Sequence, residues 1–265
     1  MLEFIPFNQV SEKERTAIWN EGFSDYLRPI NMTEDALNHR LTSLNLSGEY
    51  SVVAVEEGIF KGVALYGYHE FGGVKQAWIG GLAVHPKYRK EGVGIAIMNH
   101  LEEISKELTI DMITMEVISE NQRAINLYLK ENYTIAREVS FLKGDILPTI
   151  KSINSLTLRK TTELSDEKDA TIPWQNRILH GYDCYLIEQN GTEVGKLVCS
   201  QTGETLLTNQ ISLPSELIEN LLGYLANEFK IKTVVGVNLL SSCEEVLALN
   251  DLGIKVDLKQ YQLEK

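Results

Sequence analysis

Charged residues and glycines that precede a helix-like segment could bind a phosphorylated ligand. Arg89 and Lys90 carry positive charge, and Gly92 and Gly94 follow within the run Arg-Lys-Glu-Gly-Val-Gly. The first amides of a helix have no partner within the helix, and the helix dipole adds partial positive charge there. Glycine lets a ligand approach the backbone because it has no Cβ. The pattern therefore favours a pyrophosphate-binding loop.

The glycines by themselves are a weak signal. The loop lacks the G-x-G-x-x-G spacing and the downstream acidic residue of dinucleotide-binding folds, and no Gly-Lys-Ser/Thr of a P-loop follows. An alternative interpretation is a helix N-terminus where glycine only allows tight packing between strand and helix. The loop alone does not decide between these interpretations.

The flanking residues predict the elements that position the loop. Trp78–Val84 is rich in large and β-branched apolar residues, which favour a strand, and Pro86 ends it because proline has no N–H to donate. Gly80 and Gly81 within this strand predict a bulge or a close ligand, with packing under a neighbouring helix as the alternative. Apolar residues then recur along one face of a helix, at Val93, Ile97, Met98, Leu101 and Ile104.

The order of these elements resembles the acetyl-CoA signature of the GNAT superfamily of N-acetyltransferases. A strand leads through Leu82-Ala83-Val84-His85-Pro86 into R-x-x-G-x-G, and a long amphipathic helix follows. Further along, the strand-like Met112–Ile118 precedes residues 121–128, whose N-x-x-A-x-x-L-Y pattern resembles the next motif of that superfamily. The resemblance covers roughly residues 2–145 and identifies this part as a GNAT domain.

The resemblance implies acetyl-CoA as the co-substrate and indicates which residues would bind it. The pantetheine arm would lie along the central strand, and the pyrophosphate would lie on the loop. The residues expected to contact the cofactor are Leu82, Ala83, Val84, Arg89, Lys90, Glu91, Gly92, Val93, Gly94, Ile95 and Asn121. Asn121 has an alternative role as the cap of its own helix.

Acetyl transfer to an amine needs an oxyanion donor and a general acid. A backbone N–H at Leu82 or the next residues is expected to stabilise the tetrahedral oxyanion, an effect worth a few kcal/mol. Tyr128 stands where the superfamily has its usual general acid, and a phenol with a pKa of about 10 can protonate the leaving thiolate. The competing interpretation of Tyr128 is a core aromatic residue, since it shares a helix face with Ala124 and Leu127.

The base that deprotonates the amine stays unassigned. Some relatives carry a glutamate on the central strand, but Trp78–Val84 contains no carboxylate. The open alternatives are a water chain or the side chains of Asp25, His69, Glu70 and Glu116. By the resemblance, residues 21–44 would form one wall of the acceptor pocket, although a plain surface connection is the alternative. The predicted substrate contacts are Asp25, Tyr26 and Glu70.

The second half of the sequence repeats the predicted order of elements. A hairpin around Asn190-Gly191 is followed by strand, helix, strand, helix and strand. At the position of the glycine loop, Ser212–Glu216 offers neither glycine nor arginine, and its glutamate would repel a pyrophosphate. We therefore predict a GNAT domain at residues 1–146 and a degenerate GNAT-like domain at residues 147–265. A second domain unrelated to GNAT is the alternative.

The predicted fold class is α/β (α+β), a mixed, mostly antiparallel sheet flanked by helices, followed by the smaller second domain. A length of 265 residues suits two domains. The 25 basic and 37 acidic residues give a formal net charge of −12, which disfavours nucleic acid as a partner and weakly favours cationic substrates.

Several expectations concern where the protein acts. No stretch approaches ~20 apolar residues, so we expect no membrane-spanning helix, and the N-terminal residues lack the apolar core of a secretory signal. Cys184, Cys199 and Cys243 fit free, mostly buried thiols, which favours the cytoplasm. No cysteine and histidine cluster has zinc spacing, so we expect no metal. Oligomeric state stays open, with a homodimer among the alternatives.

The leading hypothesis is an acetyl-CoA-dependent N-acetyltransferase that transfers acetyl directly to an amine of a small molecule or a protein. Two alternatives are a non-catalytic module that binds or senses acyl-CoA, and a nucleotide-binding domain of another class. The sequence does not name the acceptor.

Overall fold

The computed structural model describes residues 1–28, 30–150, 156–166, 168–169 and 171–265. The chain folds into two compact units, one of residues 1–135 with 263–265 and one of residues 136–262. The predicted mixed, mostly antiparallel α/β architecture is confirmed. The functional domains at residues 1–146 and 147–265 stay a prediction, because the unit boundary falls inside the strand Thr134–Asp145. Within the described ranges, no helix has the length and apolarity to cross a membrane.

The described residues of the first unit form five consecutive strands and four α-helices. They are β1 Glu3–Pro6, α1 Glu12–Gly22, α2 Glu34–Ser43, β2 Ser47–Glu56, β3 Ile59–Phe71, β4 Val74–Val84, α3 Val93–Glu107, β5 Met112–Ile118 and α4 Gln122–Lys130. The strands lie in the order β1-β2-β3-β4-β5, and all neighbours are antiparallel except β4 and β5, which are parallel. The last residue of the chain pairs with β5, since the Lys265 amide donates to the Ile113 carbonyl at 3.0 Å.

Local sequence explains where these elements begin and turn. The Ser11 hydroxyl accepts the Glu14 amide and the Thr33 hydroxyl accepts the Ala36 amide, so these side chains cap α1 and α2. Glu57 and Gly58 have φ of 53° and 74°, the left-handed pair that a tight hairpin between twisted strands needs. The predicted apolar face of α3 is buried from Val93 to Leu101.

Strand β4 carries the bulge that its two glycines predict. Two successive residues of β3 pair with Gly81 and Ile79, so Gly80 is the extra residue. A Cβ at Gly80 would lie 2.7 Å from the Trp78 ring, and one at Gly81 would lie 2.5 Å from the Trp19 ring. The bulge therefore depends on glycine because aromatic rings pack directly against the backbone.

Strands β4 and β5 part after the bulge. Their parallel pairing ends at Ile79 and Met115, whereas β4 runs on to Val84 and β5 to Ile118. The last residues of β4 consequently have no neighbouring strand on that side within the described part of the first unit. A strand edge is thereby open to a ligand.

The second unit repeats this layout, as predicted. After β6 Thr134–Asp145 it contains β7 Leu156–Lys160, β8 Asp183–Gln189, β9 Thr192–Thr202, β10 Thr205–Ser212, α5 Ile218–Glu228, β11 Thr233–Leu240, α6 Glu244–Asp251 and β12 Lys255–Glu264. The strand order is β12-β6-β11-β10-β9-β8-β7. Strands β10 and β11 are parallel, and their pairing ends at Thr208 and Gly236 although both continue. Cys184 and Cys199 are buried, Cys243 is half-buried, and all three are free thiols.

Candidate active site

A cavity of about 740 Å³ lies in the first unit, where β4, α3 and α4 meet. Most of the predicted site residues line it: Asp25, Tyr26, Leu82, Ala83, Val84, Arg89, Lys90, Gly92, Val93, Gly94, Ile95, Asn121 and Tyr128. Glu91 and Glu70 are the two predicted residues that do not. The fold thus brings together segments that are about a hundred residues apart in the sequence.

The N-terminus of α3 presents unpartnered amides to this cavity. Gly92 is the N-cap, its φ of 83° is left-handed, and no heavy atom lies within 4 Å of where a Cβ would stand. The Ala96 amide is the first to bond, to the Gly92 carbonyl at 2.9 Å. Among the described residues, the amides of Val93, Gly94 and Ile95 have no hydrogen-bond acceptor. Three such amides at a helix N-terminus form an anion site.

The end of β4 presents backbone groups to the gap between the strands. The His85 amide donates to the Lys61 carbonyl at 2.9 Å, which fixes the phase of the β3–β4 ladder. Because hydrogen-bonded pairs alternate in an antiparallel ladder, Leu82 and Val84 direct their backbone groups away from β3. The Val84 carbonyl accepts from Arg89 Nε at 3.0 Å. The Leu82 amide and carbonyl therefore face the open side.

Tyr128 lies on α4 and lines the cavity while remaining largely buried. Its side chain is 7% exposed, and this burial raises the pKa of Tyr128 above the ordinary value of a phenol. The hydroxyl therefore stays protonated at neutral pH. A protonated phenol can donate to a thiolate that forms beside it.

The Arg89 guanidinium is bound by protein groups rather than turned to the loop amides. Nη1 and Nη2 both donate to the Asp25 carboxylate at 2.5 Å, and Nη2 also donates to the Gly22 carbonyl at 3.2 Å. The Arg89 hydrogen bond lowers the pKa of Asp25. The charge of Arg89 is thus paired within the protein, and its contact with a cofactor stays a prediction. Asp25, expected to contact substrate, has its carboxylate committed to Arg89.

Asn121 and Tyr26 contact each other at the start of α4. Asn121 Oδ1 accepts the Ala124 amide at 3.2 Å, so the side chain caps its helix as in the alternative interpretation. Burial raises the pKa of Tyr26, and hydrogen bonds to the Asn121 side chain and the Ile118 backbone act in the opposite direction. The contact of Asn121 with a cofactor stays a prediction.

The carboxylates considered as substrate contacts or bases differ in position. Glu70 pairs with Lys75 near the start of β4, seven residues before Leu82, which places it about 20 Å from the cavity end of the strand. Glu70 therefore does not line this cavity, and its contact with a substrate stays a prediction. Glu116 follows the point where β4 and β5 part, and its carboxylate accepts from Trp78 Nε1 at 2.8 Å.

Two cations of the cavity were not indicated by the motif. Arg123 and Lys130 line it from α4, and both are exposed, as is Lys90 on the loop. A separation of seven residues is about two helical turns, so their spacing predicts a shared face. Which side of α4 faces the loop could not be read from spacing alone.

The second unit differs from the first at the equivalent place. The Leu213 amide, directly after β10, donates to the Glu245 carboxylate at 3.2 Å. A 3-10 turn at Ser215–Leu217, preceded by Pro214, leads into α5 instead of a glycine N-cap. The described part of this unit thus has no glycine N-cap at this place, and its Leu213 amide is bonded to a carboxylate.

Comparisons with known proteins agree with this geometry. Residues 11–133, which include every residue that lines the cavity, match the model of the acetyltransferase (GNAT) family. A comparison with curated proteins gives no significant match.

Solved structures show the fold of the whole chain. A GCN5-related N-acetyltransferase from Sphaerobacter thermophilus is 14% identical, with a TM-score of 0.69 over 100% of this chain and 95% of that one. A tandem GNAT protein from the clavulanic acid biosynthesis pathway is 15% identical, with a TM-score of 0.64 over 100% and 98%. A GCN5-related N-acetyltransferase from Anabaena variabilis is 17% identical, with a TM-score of 0.61 over 100% of this chain and 72% of that one. The fold is therefore that of GNAT proteins, with two GNAT-like halves.

Proposed function

We propose that the first unit is an acetyl-CoA-dependent N-acetyltransferase that transfers acetyl directly to an amine. The observation that carries this proposal is the set of amides at Val93, Gly94 and Ile95, which have no acceptor among the described residues. They share one cavity with the open edge of β4 and with Tyr128. This combination matches the diphosphate, the pantetheine arm and the thioester of one ligand.

The chain's own residues fit acetyl-CoA along its length. The diphosphate oxygens accept hydrogen bonds from the α3 amides, and the open space beside Gly92 admits them. Lys90, Arg123 and Lys130 add positive charge for the phosphate groups. The pantetheine amides bond to the Leu82 backbone, as another strand would.

The reaction follows from this placement. The amine nitrogen attacks the thioester carbon, a C–N bond forms, and the carbonyl oxygen becomes an oxyanion that accepts from the Leu82 amide. Collapse of this intermediate breaks the C–S bond, and Tyr128 donates its proton to the departing thiolate. The proton lost by the amine passes to a base. The base stays unassigned, because Asp25 is bonded to Arg89, Glu116 accepts from Trp78 and Glu70 is distant.

The test is release of free thiol from acetyl-CoA across a panel of small amines and amine-bearing peptides. We expect release that depends on both the enzyme and the amine. No release with any amine, combined with stabilisation of the protein by CoA, would instead favour a non-catalytic acyl-CoA-binding module. Stabilisation by NAD or ATP but not by CoA would favour the other nucleotide-binding class. Cytoplasmic location and oligomeric state stay predictions.

A further inference from the structure

One arginine joins two loops that face the same cavity. The diphosphate loop is residues 90–95, which include the first three residues of α3, and the acceptor-side loop is residues 22–28, which begin at the last residue of α1. Arg89 directly precedes the first loop, and its guanidinium bonds to the Asp25 carboxylate and the Gly22 carbonyl in the second. Its Nε also bonds to the end of β4. A single side chain therefore holds three segments.

The geometry of this contact is specific to arginine. The Arg89 side chain is 19% exposed, whereas that of Asp25 is 55% exposed, so the guanidinium is packed inward and the carboxylate covers it from outside. The two parallel N–H donors meet both carboxylate oxygens while Nε remains free to bond elsewhere. A lysine supplies a point charge and cannot reproduce this fork.

A second set of contacts fixes the acceptor-side loop. Phe23 packs against Trp19 of α1 with ring centroids 4.6 Å apart, and Tyr26 packs edge-on against Phe23 at 5.2 Å. Tyr26 lines the cavity together with Asn121, which stands at the start of α4. The loop is thereby placed against the same helix that carries Tyr128.

We infer that Arg89 is a positioning residue that couples diphosphate binding to the placement of the acceptor-side loop. This inference rests on the proposed function. The diphosphate binds only when residues 90–95 adopt the helix-start geometry, in which Lys90 and Gly92 have φ of 67° and 83°. That geometry also holds Arg89 towards the acceptor-side loop. Binding of the cofactor therefore orders one wall of the acceptor pocket before the acceptor arrives.

Hydrogen exchange of residues 22–28, with and without CoA, tests the coupling without knowledge of the acceptor. In the unaltered chain, we expect CoA to slow exchange in this loop at least tenfold. In Arg89→Gln, CoA still stabilises the protein because the α3 amides bind it. It no longer slows hydrogen exchange in residues 22–28. Asp25→Asn weakens the effect, and the double variant behaves like Arg89→Gln alone because the two side chains act as one unit.

Glu120→Gln is the matched control, because it removes a carboxylate from the same cavity without touching Arg89. It should leave the CoA effect on residues 22–28 unchanged. Arg89→Lys retains the charge and loses the fork, so it replaces Arg89→Gln if that variant does not fold, and we expect it to abolish the slowing as well.

The outcomes separate the two proposals. The coupling alone would be overturned if CoA binds and slows hydrogen exchange in residues 22–28 equally in the Arg89 variants and the unaltered chain. Absence of CoA binding to the unaltered chain would overturn the coupling together with the proposed function.

Discussion

Tyr128 combines the two roles that the sequence left as alternatives. Its ring is buried like that of a core aromatic residue, and its position on the cavity wall allows the hydroxyl to act on a ligand. In Tyr128→Phe we expect kcat to fall about 100-fold or more, because the thiolate then leaves without its proton donor. The affinity for CoA should stay within about twofold, since the diphosphate contacts lie on α3.

Steady-state kinetics and CoA titration of Tyr128→Phe measure these two quantities separately. Leu129→Ala, an exposed neighbour on the same helix, is the matched control. An unchanged kcat in Tyr128→Phe would contradict the assignment of this residue as the general acid.

The pH dependence follows from the same burial. Burial raises the pKa of Tyr128, and an acid must be protonated to act, so its activity is retained below that pKa and lost above it. Because the ordinary value is about 10, we expect no falling limb from Tyr128 between pH 7 and about pH 9.5. A pH profile of kcat tests this. A decline within that range that disappears in Tyr128→Phe would contradict it.

Arg89 shows what a motif cannot predict about a side chain. The R-x-x-G-x-G motif predicted that Arg89 adjoins the loop. Gly92 of the same motif has the left-handed backbone conformation that glycine allows. The direction of the guanidinium depends on Asp25, which lies 64 residues earlier in the sequence. No local pattern indicates such a partner. The contact between Arg89 and Asp25 could therefore be identified only from the tertiary structure.

At the scale of elements, the N-terminus of α3 makes the anion site, and a charge placed there tests it. Gly94 is in the first turn, and a Cβ would meet Leu127 at an ordinary distance of 3.4 Å. In Gly94→Asp, the carboxylate stabilises the helix by roughly 0.3–1 kcal/mol through the dipole. It also repels a diphosphate, so we expect CoA affinity to fall at least tenfold.

Calorimetric titration with CoA measures the loss of affinity, and thermal unfolding measures the gain in stability. Gly94→Asn is the matched control of similar size without charge, and it should lose less affinity. Equal CoA affinity in Gly94→Asp and the unaltered chain would exclude the α3 amides as the diphosphate site.

The bulge in β4 gives a prediction about stability. In Gly80→Ala, the new methyl would lie 2.7 Å from the Trp78 ring, so the ring or the strand must move. Overpacking of this kind costs about 1–3 kcal/mol of unfolding free energy. Urea unfolding measures the change, and Gly94→Ala is the control because its methyl makes only ordinary contacts. A loss no larger in Gly80→Ala than in the control would contradict the tight packing.

Elements were predictable where their signal is local. The hairpin at Glu57 and Gly58, the caps at Ser11 and Thr33 and the bulge at Gly80 each follow from residues within a few positions. The parting of β4 and β5 is not local, because it depends on how two strands with α3 between them twist. No motif close in sequence indicates the residue at which the two strands part.

At the scale of the molecule, two units share a layout but differ at the functional position. The first has a glycine cap and, among the described residues, unpartnered amides at the start of α3. The second has a proline, a 3-10 turn and a carboxylate that accepts the Leu213 amide. The missing glycine was visible in the sequence, whereas the Glu245 contact was not. We therefore predict one CoA site in a chain with two GNAT-like halves.

A crystal structure of the chain grown with CoA tests this most directly. We predict one CoA per chain, with diphosphate oxygens within hydrogen-bonding distance of the amides of Val93, Gly94 and Ile95. A diphosphate bound elsewhere, or a CoA in the second unit with the α3 amides left unbound, would contradict the account.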